Sequence, residues 1–182
     1  MFETEAELAT LQKLLDESFD RAGERLSAIW DAGNRLTAPQ LSGFQGVRLV
    51  AVATVNSEGE PRVAPRSAAF LHGKFYLAAN TASVMVKRLS RKPLLAVSYF
   101  ENHLMIVAHG TATPFRKGSP GFEELSPGWV KAFNGGADAL EGIDILIRVD
   151  AENVLAYANR PERYPDAWEG SASARRERSV TT

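Results

Sequence analysis

Asn80-Thr81-Ala82-Ser83 is the stretch best suited to chemistry, a cluster with three cap-forming residues set directly before Val84-Met85-Val86-Lys87-Arg88-Leu89. Serine is a strong N-cap and proline cannot continue a helix, so a helix is predicted from near Ser83 to just before Pro93. A helix start placed after a strand offers backbone N–H groups and a partial positive charge, a natural seat for a phosphate. The same residues equally describe a capped connecting helix. Lys87, Arg88, Arg91 and Lys92 make the densest positive cluster of the central chain. Cations at a helix C-terminus complement its dipole and commonly form a solvated face; the functional alternative is a groove for an anionic tail.

Other chemistry is scarce. There is no cysteine, which removes disulfides, thiolate nucleophiles and cysteine-ligated metals. No G-x-S-x-G elbow, P-loop, G-x-G-x-x-G turn or H-E-x-x-H helix is present, and carboxylates are spread without an evident pair. His103 and His109 share strand parity yet stand about 20 Å apart at roughly 3.3 Å per residue, too far to ligate one metal. His109 reads as a core or interface histidine.

These residues are positioned by a run of strands. Val47–Val55 is apolar at nearly every position, which implies cover on both faces and points to a small barrel. Asn56 to Pro61 supplies a turn, with Gly59 free to take positive φ. The next strand, Arg62–His72, contains Pro65, which marks an edge or a bulge. His72-Gly73-Lys74 turns into Phe75–Ala79. After the short helix, Leu94–Phe100 and His103–Phe115 form a second hairpin about Glu101-Asn102, and Gly110 marks a bulge or a close backbone approach. Arg116–Gly128 reads as an exposed loop that could lie over a cleft, with Trp129–Phe133 a helical turn broken by Gly135-Gly136. Ile143–Val149 and Val154–Asn159 read as the last two strands.

The ordered set Gly59-Glu60-Pro61-Arg62-Val63, Gly73-Lys74-Phe75-Tyr76, Asn80-Thr81-Ala82-Ser83, Leu89-Ser90-Arg91-Lys92-Pro93 and Val107-Ala108-His109-Gly110-Thr111-Ala112 resembles the pyridoxamine 5'-phosphate oxidase-like family of FMN-binding split barrels. The resemblance implies a mainly β fold with peripheral helices, a six-stranded antiparallel split barrel, and a homodimer with a flavin or deazaflavin in a cleft between subunits. Carried over by position, cofactor contacts fall on Arg66, Ser67, Ala79, Asn80 and Ser83. Many flavin-binding members carry two basic residues after the serine, whereas this chain has Val84 and Met85. Lys87 and Arg88 lie about one helical turn later and are the candidate substitutes.

The resemblance implies FMN as cofactor, and the displaced basic group favours a deazaflavin with its acidic side chain as the alternative. The implied activity is oxidoreduction of a small molecule, with hydride chemistry supplied by the cofactor. Pyridoxamine phosphate is not the preferred substrate, because Arg160 and Arg163 do not establish the substrate-binding motif of that enzyme. The competing reading is a non-catalytic barrel that binds or sequesters a flavin, haem or another apolar ligand. A nucleic-acid-binding barrel is disfavoured, since the net charge of −1 offers no basic stripe interleaved with aromatics.

The 182 residues, 45% hydrophobic, suit one domain with a real core. Residues 1–46 are expected to form a helical segment packed on the barrel, 47–159 the flavin-binding barrel, and 160–182 a tail, with Tyr164 and Trp168 docking on the partner and 171–182 disordered. Thr4 and Glu7 fit a capping box opening an amphipathic helix that carries Leu8, Leu11, Leu15 and Phe19, with Leu26–Trp30 a short second helix and 31–46 a loop. With no signal-like apolar segment and no run near the roughly 20 residues of a membrane span, a soluble cytoplasmic protein is expected.

Overall fold

The computed structural model describes residues 3–164 apart from 30, 102 and 134–136. The turn residue Asn102, the Gly135-Gly136 break, Trp30, Trp168 and the tail 171–182 therefore lie outside the described residues. Helix α1 (Glu5–Asp20) starts on the expected box, with Thr4 accepting from the Glu7 backbone and the Glu7 carboxylate accepting from Thr4. Then come α2 (Glu24–Ile29) and α3 (Ala38–Ser42). The loop expected over 31–46 is thus partly helical. Gln40 reaches back to the Thr37 N–H at 2.8 Å, a capping box within a stretch that reads as a loop for its Gly and Pro content.

Six strands follow: β1 (Arg48–Val55), β2 (Pro61–Leu71), β3 (Lys74–Ala79), β4 (Leu94–Glu101), β5 (Leu104–Arg116) and β6 (Ile145–Ala158). They close an antiparallel barrel in the order β1-β2-β3-β6-β5-β4. Helix α4 (Val84–Leu89) carries the chain across one barrel end from β3 to β4. Its Met85, Val86 and Leu89 join the core that fills the barrel. At the other end Arg48, only 4% exposed, places its guanidinium 4.8 Å from the Phe44 ring. Phe44 in turn packs edge-on against Phe70, Phe75 and Tyr99.

The last two expected strands are one. At the register shift between His109 and Gly110, His109 pairs with Asn153 and Gly110 with Ala151, so Glu152 is an extra residue in β6. Inward positions accordingly switch from Ile145, Ile147 and Val149 to Val154, Ala156 and Ala158. Read with period two, that switch looks like a break between strands. The Val154 N–H beyond the bulge donates to Ser18 Oγ at 2.9 Å, tying α1 to β6. Gly110 fulfils both of its expected roles, since a Cβ there would stand 2.1 Å from the Asp150 carbonyl oxygen.

The segment read as an exposed loop also differs. Helix α5 (Pro120–Ala132) is capped by Ser119 and begins with Pro120 at its first turn, where a missing N–H costs nothing. Pro127 lies inside it; Ser126 Oγ donates to the Glu123 carbonyl that Pro127 leaves without its helical partner. Phe122 and Trp129, seven residues apart, bury against Ala69, Leu71, Tyr76 and Leu146 on the outside of the barrel. The helix covers β2, β3 and β6.

Burial raises the Asp150 carboxyl, but hydrogen bonds from Thr113, Arg148 and Lys74 outweigh it and depress it to about 2. A depressed carboxylate stabilises fully above its unfolded pKa and loses that stabilisation as pH falls through the folded value. Acid titration should therefore show roughly 2 kcal/mol of stability disappearing between about pH 4 and 2. Asp150→Asn is expected to remove that component of the acid limb in denaturant melts. An unchanged limb would contradict the pairing.

A candidate cofactor site where the barrel opens

The β2–β3 ladder stops at Ala68 opposite Leu77, although β2 runs back to Pro61 beside β1 and β3 runs on to Ala79 beside β6. Between the first half of β2 and the end of β3 the barrel is open. Two more residues of the same register would set Arg66 beside Ala79. Pro65 lies in the half of β2 that pairs with β1 alone, where a proline can sit with one side of the strand open. Arg66 is half-buried with the inward parity of Ala68 and Phe70, and its Nη1 donates to the Pro65 carbonyl at 2.8 Å. Ser67 is exposed on the outer face opposite Leu49, so the two neighbours point to opposite sides of the sheet.

Beyond Ala79 the chain makes a tightly bonded turn. Asn80 Oδ1 accepts from the Ala82 N–H at 2.8 Å, and the Asn80 carbonyl accepts from the Ser83 N–H at 2.9 Å. Thr81 donates its N–H and its hydroxyl to the Asp144 carboxylate at 2.6 and 2.7 Å. Ser83 is the N-cap, its Oγ accepting from the Val86 N–H at 3.3 Å. These bonds occupy most of the donors an anion would use, and Asp144 adds negative charge beside them. Asp144 is the residue here that sequence reasoning missed; it lies 63 positions from Thr81, and no local pattern links them.

Side-chain placement on α4 shows why the two usual basic positions differ. Met85 is 4% exposed and belongs to the core, so a cation there would be buried without a partner. Val84 is 59% exposed. Lys87 is exposed and Arg88 half-buried, and among the described residues neither makes an ion pair or a side-chain hydrogen bond. Helical side chains lean toward the N-terminus and cover the turn before their own Cα, and for these two cations that turn begins at Ser83 and Val84. Two uncommitted cations and the Ser83 hydroxyl thus follow one another on α4, while most N–H groups of the turn before it are occupied.

Next to the opening lies a sheet face that this chain leaves uncovered. Across β2, β1, β4 and β5 its rows are Val63, Ala53, Ala96, His109 and Pro65, Ala51, Ser98, Val107. Small residues hold the centre, bordered by Leu49, Val63, Leu94 and Phe100 at 57–69% exposure. The inner face of β1 is buried, but the cover expected on its outer face is not supplied by the described residues. His109 is exposed on this face, which overturns the core half of its core-or-interface reading; His103 sits in the β4–β5 turn at φ 67° and shares no strand face with it. Among the described residues no group of three or more His, Cys, Asp or Glu could hold a metal, and no helix is long and apolar enough to cross a membrane.

Residues 36–143 match the family described as pyridoxamine 5'-phosphate oxidase. No curated protein matches the chain. Among solved structures, a conserved hypothetical protein from Mycobacterium tuberculosis aligns with a TM-score of 0.58 at 16% identity, covering 75% of this chain and 93% of that one. A protein of unknown function from Agrobacterium tumefaciens aligns with a TM-score of 0.53 at 15% identity, over 75% and 58% of the two chains. A heme binding protein from Mycobacterium smegmatis aligns with a TM-score of 0.51 at 13% identity, over 69% and 59%. At such identities these likenesses show a shared fold.

Proposed function

Because this chain belongs to the pyridoxamine 5'-phosphate oxidase-like family of FMN-binding split barrels, we propose that it is a homodimeric oxidoreductase that uses FMN or a deazaflavin on a small molecule. The observation that carries the reading is the uncovered apolar sheet face beside the barrel opening, with Lys87 and Arg88 uncommitted at its end. Two copies packed through that face would bury it and leave a cleft at each opening. The small side chains of Ala51, Ala53, Ala96 and Ser98 leave room for a flat ring or a partner's backbone.

In this reading Arg66, Lys87 and Arg88 are charge partners for the cofactor and Ser83 donates its hydroxyl hydrogen. Ala79 and Asn80 line the cleft, and Ser67 contacts from the outer face. The bound ring supplies hydride chemistry, and the protein holds it, orients it and keeps water out. No side chain needs to act as a nucleophile. The substrate is a small molecule admitted between the copies.

The spectrum of the protein as purified, followed by titration with FMN and with a deazaflavin, tests the reading. Visible flavin bands or saturable binding support it. A colourless protein that binds neither ring favours the sequestering alternative, whose supporting observation is the exposed Val84 and buried Met85 where bases are expected. The dimer has its own test. Ala53→Arg sets a charge at the centre of the face, where burial without a partner costs several kcal/mol. Light scattering should then give the mass of a single chain; a dimer that persists would place the interface elsewhere.

A further inference from the structure

Across the barrel from the uncovered sheet, β3 and β6 floor a second groove of about 890 Å³, walled by α1 and α5. That volume suits a small organic ligand. At its floor Lys74 Nζ and Arg148 Nε both lie on Asp150 Oδ1, at 2.9 and 2.8 Å. Arg148 Nη2 reaches Oδ2 at 3.2 Å, and Thr113 donates to Oδ2 at 2.6 Å. Two cations thus share one carboxylate. The ammonium and the guanidinium keep donors unspent, and the trio carries a local positive charge within a lining that also holds Glu7, Glu17, Glu124 and Glu152.

Tyr76 gives the second, independent observation. It lines the groove and is only 4% exposed, yet its hydroxyl makes no hydrogen bond among the described residues. Burial, opposed by the nearby Arg148 charge and reinforced by Asp150, Glu7 and Glu124, pushes this phenol up to about 12, so at neutral pH it keeps its proton and can donate to a group in the groove. Glu7 is already engaged by His72 at 3.2 Å, whereas Glu124 on α5 has no cation partner among the described residues. Leu11 and Leu14 from α1 and Phe115 and Leu125 from the opposite side give the groove apolar walls.

We propose that this groove binds an amphipathic monocarboxylate, its head on Tyr76, Lys74 and Arg148 and its apolar body between α1 and α5. The site is separate from the flavin cleft: it takes Lys74 and Tyr76 at the start of β3, whereas the cleft is placed at Ala79 and Asn80, where that strand ends. It stands whether or not a flavin binds.

Calorimetric titration of the full chain with decanoate and, in parallel, with decylamine tests this. Decanoate is expected to bind saturably and decylamine not. Tyr76→Phe removes one oxygen without altering the ring packing and should weaken decanoate about tenfold or more, as loss of a hydrogen bond to a charged group does. Glu124→Gln, which removes the unpaired acid of the α5 wall, should tighten it. Lack of saturable decanoate binding, equal affinity for decylamine, or a Tyr76→Phe affinity matching the parent overturns the proposal.

Discussion

A chain carrying Lys87→Ala together with Arg88→Ala is expected to bind FMN about a hundred- to ten-thousandfold more weakly than the parent. Each hydrogen bond to a charged group is worth roughly 1.5–3 kcal/mol, so two amount to about 3–6 kcal/mol, and each 1.4 kcal/mol is tenfold. The usual route to phosphate affinity is closed here. Met85 faces the core, and the donors of residues 81, 82, 83 and 86 are occupied within the turn. Folding should hardly change, because these cations touch no partner among the described residues and contribute only about 0.3–1 kcal/mol each to the helix end. Riboflavin, which lacks the phosphate, should bind parent and variant alike. Equal FMN affinity in the two proteins would show that α4 does not hold the tail.

The second large effect is structural. Gly110→Ala should cost on the order of 3–5 kcal/mol, because overpacking against backbone cannot be relieved by a rotamer change. The added Cβ would meet Asp150 O at 2.1 Å, Ala151 Cα at 2.7 Å and the Asp150 carbonyl carbon at 2.8 Å. All three belong to the bulge that sets the inward parity of β6. Gly59→Ala is the control: nothing lies within 4 Å of its Cβ and only its positive φ resists, at about 1–2 kcal/mol. Urea midpoints for the two variants read the difference. A Gly110→Ala protein as stable as Gly59→Ala would mean that the bulge is not a fixed feature.

The parts of the fold legible in the sequence were those with local causes. Gly59 and Gly73 turn the chain at positive φ, Ser83 caps α4, Thr4 and Glu7 cap α1, and Gly110 sits at a close approach. Helix α5 was obscured because Pro120 and Pro127 are breakers by type, yet one occupies the first turn and the other has its orphaned carbonyl met by Ser126. The unity of β6 was hidden by one extra residue that inverts the apolar alternation. At the candidate site, two-residue periodicity alone separates Arg66 from Ser67 onto opposite faces. Asp144 beside Thr81, and the Lys74, Asp150, Arg148 trio beneath the second groove, depend on strand register between distant segments, which local pattern does not carry.

Sedimentation velocity of the protein mixed with FMN, followed at a wavelength absorbed by the flavin alone, tests most directly the claim that two copies join through the uncovered face and hold a flavin at each opening. The flavin is expected to move with a species of twice the chain mass. Flavin that stays in the slow free boundary, or that moves with a species of single chain mass, would contradict it.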